Sequence, residues 1–239
     1  MTASAGIEPS RTIEYLPIVD EALNLCTKIE NASAIPKLFF DRPERDGALR
    51  AKGTLDSSYH DMKSLVEAET EIAEAVNVPS THPLYILYTS GTTGDPKGVV
   101  RDQGGTAVAL NYSMDINFNM QAGTKYFCGA DLGWIVGHTI MLYGPLIRGA
   151  STIIFEGKPI VPDAGILWKI CEEYEVEGMF IAPTTVREIK RVDFEGSKIL
   201  DYDISKLVSM NLAGERCDPD TIWWLRKHLP NLVINDNWW

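Results

Sequence analysis

The chain has 239 residues, 45% hydrophobic and 23% charged, and 33 Asp and Glu against 22 Lys and Arg give a formal net charge of −11. That length suits one large α/β domain or two small ones with a sizeable core. The acidic balance excludes a nucleic-acid or anionic-membrane surface, where clustered Lys and Arg are needed.

No apolar run approaches the ~20 residues of a membrane span. The start, "MTASAGIEPSRTIEYLP", lacks the basic and then apolar segments of a secretory signal. Cys26, Cys128, Cys171 and Cys217 are widely spaced with no Cys-x-x-Cys pair, as expected of reduced structural thiols in an intracellular protein.

In chain order, "EYLPIVDEALNLC" carries apolar residues at helical spacing, with Pro17 acceptable in a first turn. "IPKLFF" (35–40) reads as a short strand and "DRPERDGALRAKG" as a charged surface loop. "SLVEAETEIAEAV" (64–76) has the composition and period of a helix. Strands and helices then alternate. Strands are predicted at 84–88, 125–128, 152–155, 178–181, 207–212 and 232–235, with helices near 103–114 and over 135–147, 163–174, 184–191 and 218–228.

The strands are continuous apolar runs rather than alternating ones, which suits parallel strands buried on both faces. The fold class predicted is therefore α/β, a mostly parallel open sheet with helices on both faces, built from right-handed βαβ units. Residues 1–80 read as a helical and loop lead-in and 81–239 as the α/β core. Ligands of such sheets sit beyond the carboxyl ends of the strands.

"LYILYTSGTTGDPKGVV" (84–100) places a loop at such an end. Gly91, Gly94 and Gly98 free the backbone to turn and expose N–H groups. Thr89, Ser90, Thr92 and Thr93 add hydroxyls, and Lys97 a mobile positive charge; these are the groups that cradle phosphate oxygens. The spacing is not a Walker A loop, because Pro96 stands where its second glycine belongs, and it is not Gly-x-Gly-x-x-Gly. A polar surface loop is the alternative. The lysine and the position after a buried strand favour phosphate.

"YTSGTTGDPKG" resembles the phosphate loop of the AMP-forming adenylate synthetases, the superfamily of acyl-CoA synthetases, luciferases and peptide-synthetase adenylation domains. Three further segments resemble its short-chain acyl-CoA synthetase branch. "ADLGWIVGHTIMLYGPLIRGASTIIFEGKP" (130–159) is similar to that branch's acyl-pocket segment, "NLAGERC" (211–217) to its adenine-binding turn and "INDNWW" (234–239) to the strand entering its next motif. "AGIEPSRTIEYLPIVDEAL" resembles a linking segment inside the family's large N-terminal domain, so the likeness spans the chain in the family's order.

The resemblance implies a two-step ligase that uses ATP, Mg²⁺ and coenzyme A. A carboxylate attacks the α-phosphate to give acyl-adenylate and pyrophosphate, and the CoA thiol then displaces AMP. Thr89, Ser90, Gly91, Thr92, Thr93, Gly94 and Lys97 would bind the triphosphate, with Thr89 and Lys97 closest to catalysis, and Asp95 and Pro96 would shape the turn. The adenine would lie against Gly214, Glu215 and Arg216, with Asp236, Asn237 and Trp238 opposite; the family more often has proline at the Arg216 position. Trp134, Ile135, Val136, Ala213 and Trp239 would surround the acyl tail. Acetate-specific members usually carry threonine at the Val136 position and valine at Ala213, so the pocket here is wider and less polar and favours propionate, with Trp239 as its floor.

In the family, Gln-Thr-Glu-Thr-Gly, a Tyr-x-Thr-Gly-Asp motif and a mobile C-terminal domain with a catalytic lysine come next. The expectation is thus that the chain is the middle of a synthetase and does not complete thioester formation alone. The alternative is a truncated nucleotide-binding module without turnover. The compartment expected is cytosol or mitochondrial matrix, and the partners are small molecules, with no nucleic acid and no membrane.

Other residues carry less. His138 reads as a hydrogen-bonded structural residue, and His60, His82 and His228 are scattered, so no metal site is expected. "IWWLRKHL" (222–229) reads as core packing, and "KRVDFEGSKILDYDISKL" as a charged surface loop.

Overall fold

The computed structural model describes residues 1–7, 11–26, 29–32, 35–43, 55–89 and 94–238. They fall into two units, Met1–Val76 and Asn77–Trp239.

The first unit holds β1 (Thr2–Ala3), β2 (Ala5–Ile7), β3 (Thr12–Glu14), α1 (Leu16–Leu25), β4 (Lys37–Phe40), β5 (Tyr59–Asp61) and α2 (Met62–Ala68). Strands β1, β4 and β5 form a parallel sheet in that order, and β2 and β3 an antiparallel ribbon. Strands of two or three residues are too short to show a period, and sequence reasoning missed them. Leu16, Phe39 and Tyr59 make a small core, in which the buried Lys37 ammonium reaches Asp20 at 3.1 Å and the Ser58 hydroxyl at 2.8 Å. The helix expected over 64–76 ends at Ala68. Beyond it Ile72 and Val76 are exposed, and a short acidic segment with no buried apolar face does not hold a helix in water. Of the charged loop expected at 41–53, residues 44–53 lie outside the described residues.

The second unit opens with β6 (Pro83–Thr89) and β7 (Lys97–Asp102), paired antiparallel from Pro83↔Asp102 to Thr89↔Lys97. This corrects the expectation of a parallel strand buried on both faces at 84–88. The apolar run pairs with its own continuation at 97–102 in a two-stranded ribbon, and Ile86 and Tyr88 are exposed. Tyr85 nonetheless stacks on Tyr143 and lies against His138, with ring centroids 5.9 and 5.2 Å away.

The remaining strands are β8 (Lys125–Cys128), β9 (Ser151–Ile153), β10 (Gly178–Ile181), β11 (Ser209–Leu212) and β12 (Val233–Asp236). They form one parallel sheet in the order β12-β11-β10-β8-β9. The connecting helices are α3 (Gln103–Ile116), a π-helical turn Gly137–Tyr143 running into α4 (Gly144–Arg148), α5 (Ile166–Tyr174), α6 (Pro183–Val192) and α7 (Pro219–His228). The architecture is the α/β one expected, and the ranges agree to within a few residues.

Alternate residues of the central strands feed two cores. Phe127, Met179, Ile181, Met210 and Leu212 pack with Trp168 of α5, Ile189 of α6 and Leu225 of α7. Tyr126, Cys128 and Phe180 face the other way, onto Met114 of α3 and Ile140 and Met141 of the π-helical turn. Each buried large apolar side chain contributes about 1.5–3 kcal/mol, so the burial of both faces at the three central strands is what holds the layers. The helix ends follow their residues. Asp218 caps α7 by accepting from the Thr221 N–H at 2.9 Å, Pro219 sits in its first turn, and Arg226, Lys227 and His228 fill its last.

Two surface expectations change. Trp224 is core and donates from Nε1 to the Phe194 carbonyl at 2.6 Å, but Trp223 is exposed. The segment at 190–207 is tied down rather than loose. Asp193, buried at the end of α6, accepts from the Ser197 N–H, the Ser197 hydroxyl and the Lys198 N–H at 2.7–2.9 Å, and Ile199 and Leu207 join the core.

Candidate functional site

The sheet order sets where a ligand can enter. The chain leaves β8 toward β9 on one side, then crosses to β10, β11 and β12 on the other. The connections diverge at the boundary of β8 and β10, and beyond the carboxyl ends of strands at such a point a crevice forms. A cavity of about 270 Å³ lies there. Gly129 and Ala130 after β8, Ala182 after β10, and Ala213 and Gly214 after β11 line it with Trp134 and Val136.

A second cleft, of about 460 Å³, adjoins it across Gly214, between the segments leaving β11 and β12. Gly214, Glu215, Arg216, Asp236, Asn237 and Trp238 line it. Gly214 has φ +107°, a backbone conformation that a Cβ would strain, and it swings the chain out of the sheet after Leu212. The two walls are joined: the Asn237 N–H donates to the Leu212 carbonyl at 2.7 Å, and the Cys217 N–H to the Asp236 carboxylate.

The structure thus brings together the six residues expected around adenine. Of those expected around the acyl tail, it brings together Trp134, Val136 and Ala213. Val136 and Ala213 are buried while Trp134 is exposed. Ile135 does not line that cavity; it packs against the core beneath. Thr89 and Lys97 face each other in register at the loop end of the β6–β7 ribbon, both exposed, with Gly94 between them in sequence at φ +101°. Ser90, Gly91, Thr92, Thr93 and Trp239 lie outside the described residues.

A family model described as AMP-binding enzyme matches residues 21–239. The chain belongs to that family. It is 43% identical over 241 residues to acyl-CoA synthetase short-chain family member B, mitochondrial, of Dictyostelium discoideum, covering all of this chain and 34% of that protein. It is 40% identical to the human acyl-CoA synthetase short-chain family member 3, mitochondrial, and 40% to the propionate–CoA ligase of Salmonella typhimurium, again over all of this chain and 34% and 36% of theirs. The chain spans about a third of the length of these curated relatives. Its fold superposes on an acetoacetyl-CoA synthetase from Streptomyces lividans with a TM-score of 0.78 at 22% identity, covering 97% of this chain and 34% of that one.

The turn at 213–218 is held from outside as well. Arg187 of α6 forks its guanidinium to Glu215 and, at 3.3 Å, to Asp218. Its position inside a helix gave no sequence signal of this task. Burial and the carboxylates of Asp218 and Asp236 push the Cys217 thiol up to about 11, and burial pushes the Cys128 and Cys171 thiols up to about 12. None of the three is a thiolate nucleophile at neutral pH. His138 Nδ1 lies 3.2 Å from the Trp134 carbonyl one turn earlier, the structural placement expected. Among the described residues no group of three or more His, Cys, Asp or Glu is assembled around a metal position, and no helix is long and apolar enough to cross a membrane.

Proposed function

We propose that the chain forms the nucleotide and acyl sites of an AMP-forming short-chain acyl-CoA ligase, with propionate preferred over acetate. The observation that carries this reading is the pair of adjoining clefts at the carboxyl edge, one lined by all six residues expected around adenine and the other by Val136 and Ala213. Adjacency across Gly214 suits the chemistry, since an acyl carboxylate and the α-phosphate of one nucleotide must meet. The larger cleft takes the purine between the 214–216 turn and the 236–238 segment, and Thr89, Ser90, Gly91, Thr92, Thr93, Gly94 and Lys97 take the triphosphate. Their work is positioning and neutralising charge that develops on phosphate oxygens. Magnesium enters with the triphosphate, and coenzyme A receives the acyl group in the second step.

The smaller cavity is apolar at Val136, Phe180 and Ala213. One more methylene in such a pocket is worth about 1–3 kcal/mol, which favours propionate. The names of the short-chain relatives support the substrate class. Because the reaction consumes ATP and CoA, the reading places the protein in the cytosol or the mitochondrial matrix. The test is carboxylate-dependent exchange of pyrophosphate into ATP by the native product of the gene, comparing acetate, propionate and butyrate. Exchange fastest with propionate is expected; exchange with no dependence on a short carboxylate would overturn the reading.

A further inference from the structure

Glu215 puts a carboxylate on the wall of the larger cleft, in a chain of net charge −11. An uncompensated carboxylate there opposes a phosphate-bearing ligand, and beside a protein wall the repulsion is screened less than in open water. The other carboxylate of the lining, Asp236, accepts the Cys217 N–H. Glu215 is met from outside the cleft instead. Arg187 Nη2 pairs with its Oε1, while Arg187 Nη1 lies 3.3 Å from Oδ2 of Asp218.

One guanidinium thus covers two carboxylates of the same turn, a task that suits the planar fork of arginine. Arg216 stands between those two carboxylates in sequence and lines the cleft, yet among the described residues it pairs with neither. Its charge is left for whatever the cleft holds.

Helix α6 explains the reach. It begins at Pro183, directly after Ala182 on the wall of the smaller cavity, and Arg187 follows a little over one turn later. The pair adds little to stability, because Arg187 is 35% and Glu215 43% exposed. Lys190 of α6 also pairs with Asp220 of α7, so the packing of these helices does not hang on Arg187 alone. What Arg187 changes most is the charge of the wall.

We propose that Arg187 is a positioning residue for nucleotide binding: it holds the Glu215 carboxylate neutralised on the α6 side, so that the larger cleft accepts an anionic nucleotide. The inference rests on the nucleotide reading of that cleft. Arg187 is not part of the cleft lining and acts through Glu215.

Calorimetric titration of the 239-residue chain with ATP tests this. Arg187→Gln removes the cation and should weaken ATP about tenfold, with a melting temperature close to that of the parent. Adding Glu215→Gln removes the carboxylate left bare and should bring ATP affinity back to within about threefold of the parent. A tether with no charge role predicts otherwise, because the double variant lacks the fork just as the single one does. ATP binding by the double variant no tighter than by Arg187→Gln, or unchanged ATP binding in Arg187→Gln, would overturn the proposal. Where Arg187→Gln does not fold, Arg187→Lys decides. Its retained charge should keep ATP affinity within about threefold, and a larger loss in the folded variant counts against the proposal. A parent chain that binds no ATP would instead overturn the nucleotide reading itself.

Discussion

The Cys217 backbone N–H donates to the Asp236 carboxylate, 3.3 Å from Oδ2 and 3.4 Å from Oδ1. This bond ties the turn leaving β11 to the end of β12, and those two segments are the walls of the larger cleft. A carboxylate that accepts a backbone N–H in this way holds one wall against the other without occupying the space between them.

Asp236→Ala removes the tie and leaves the Cys217 N–H without its charged acceptor, a loss of about 1–3 kcal/mol in stability. Nucleotide affinity should fall at least tenfold, since the cleft loses both a wall contact and its spacing. Asp236→Asn keeps an acceptor and should retain most of the stability. Denaturant unfolding of the three chains measures this; equal loss in the Ala and Asn variants would refute the tie.

Gly178→Ala tests the packing of β10 against Tyr126 of β8. The added methyl would stand 2.5 Å from the Tyr126 ring, and overpacking of a filled core costs about 1–3 kcal/mol. The cost should shrink when Tyr126→Leu is combined with it, because the ring is the obstacle. Additive losses in the double variant would show that the clash lies elsewhere.

Asp193 gives a pH dependence with a defined sign. Burial acts to raise its pKa, but the Lys198 N–H and the Ser197 hydroxyl and N–H outweigh it and hold it below the ordinary 3.8. A carboxyl depressed on folding adds stability that is full above its unfolded pKa and disappears as the pH drops through the lower folded value. Unfolding free energy should therefore be flat above about pH 5 and decline below it. Asp193→Asn should lower the plateau by about 1–3 kcal/mol and flatten the decline. An unchanged acid slope in the variant would contradict the assignment.

Most of the sheet was legible because β8, β10 and β11 are short apolar runs between helices whose caps and charges announce themselves, as Asp218 and Pro219 do for α7. The ribbon at 83–102 was not. Its apolar strand has the composition of a buried one, and only the pairing Thr89↔Lys97 shows that it turns back on itself. The cleft residues at 214–216 and 236–238 could be named from motifs. Arg187 could not, because an arginine inside a helix looks the same whether it points to solvent or to Glu215. Asn211, whose buried amide donates to the Tyr126 hydroxyl, left a trace, a lone amide in "VSMNLA", but that partner is 85 residues away in sequence and nothing local connects them.

The substrate preference has its own test in an active ligase that carries this pocket. Val136 is buried against the smaller cavity, so Val136→Thr places a hydroxyl there without changing its volume much. The acetate-to-propionate ratio of kcat/KM should rise about fivefold, equivalent to about 1 kcal/mol. An unchanged ratio would remove Val136 from the pocket.

The most direct test of the account is backbone hydrogen exchange on the 239-residue chain with and without ATP and magnesium. Nucleotide in the larger cleft should slow exchange at 213–218 and 236–238 while leaving the buried strand β8 unchanged. Saturating ATP with no slowing in either segment, or with slowing confined to other parts of the chain, would contradict it.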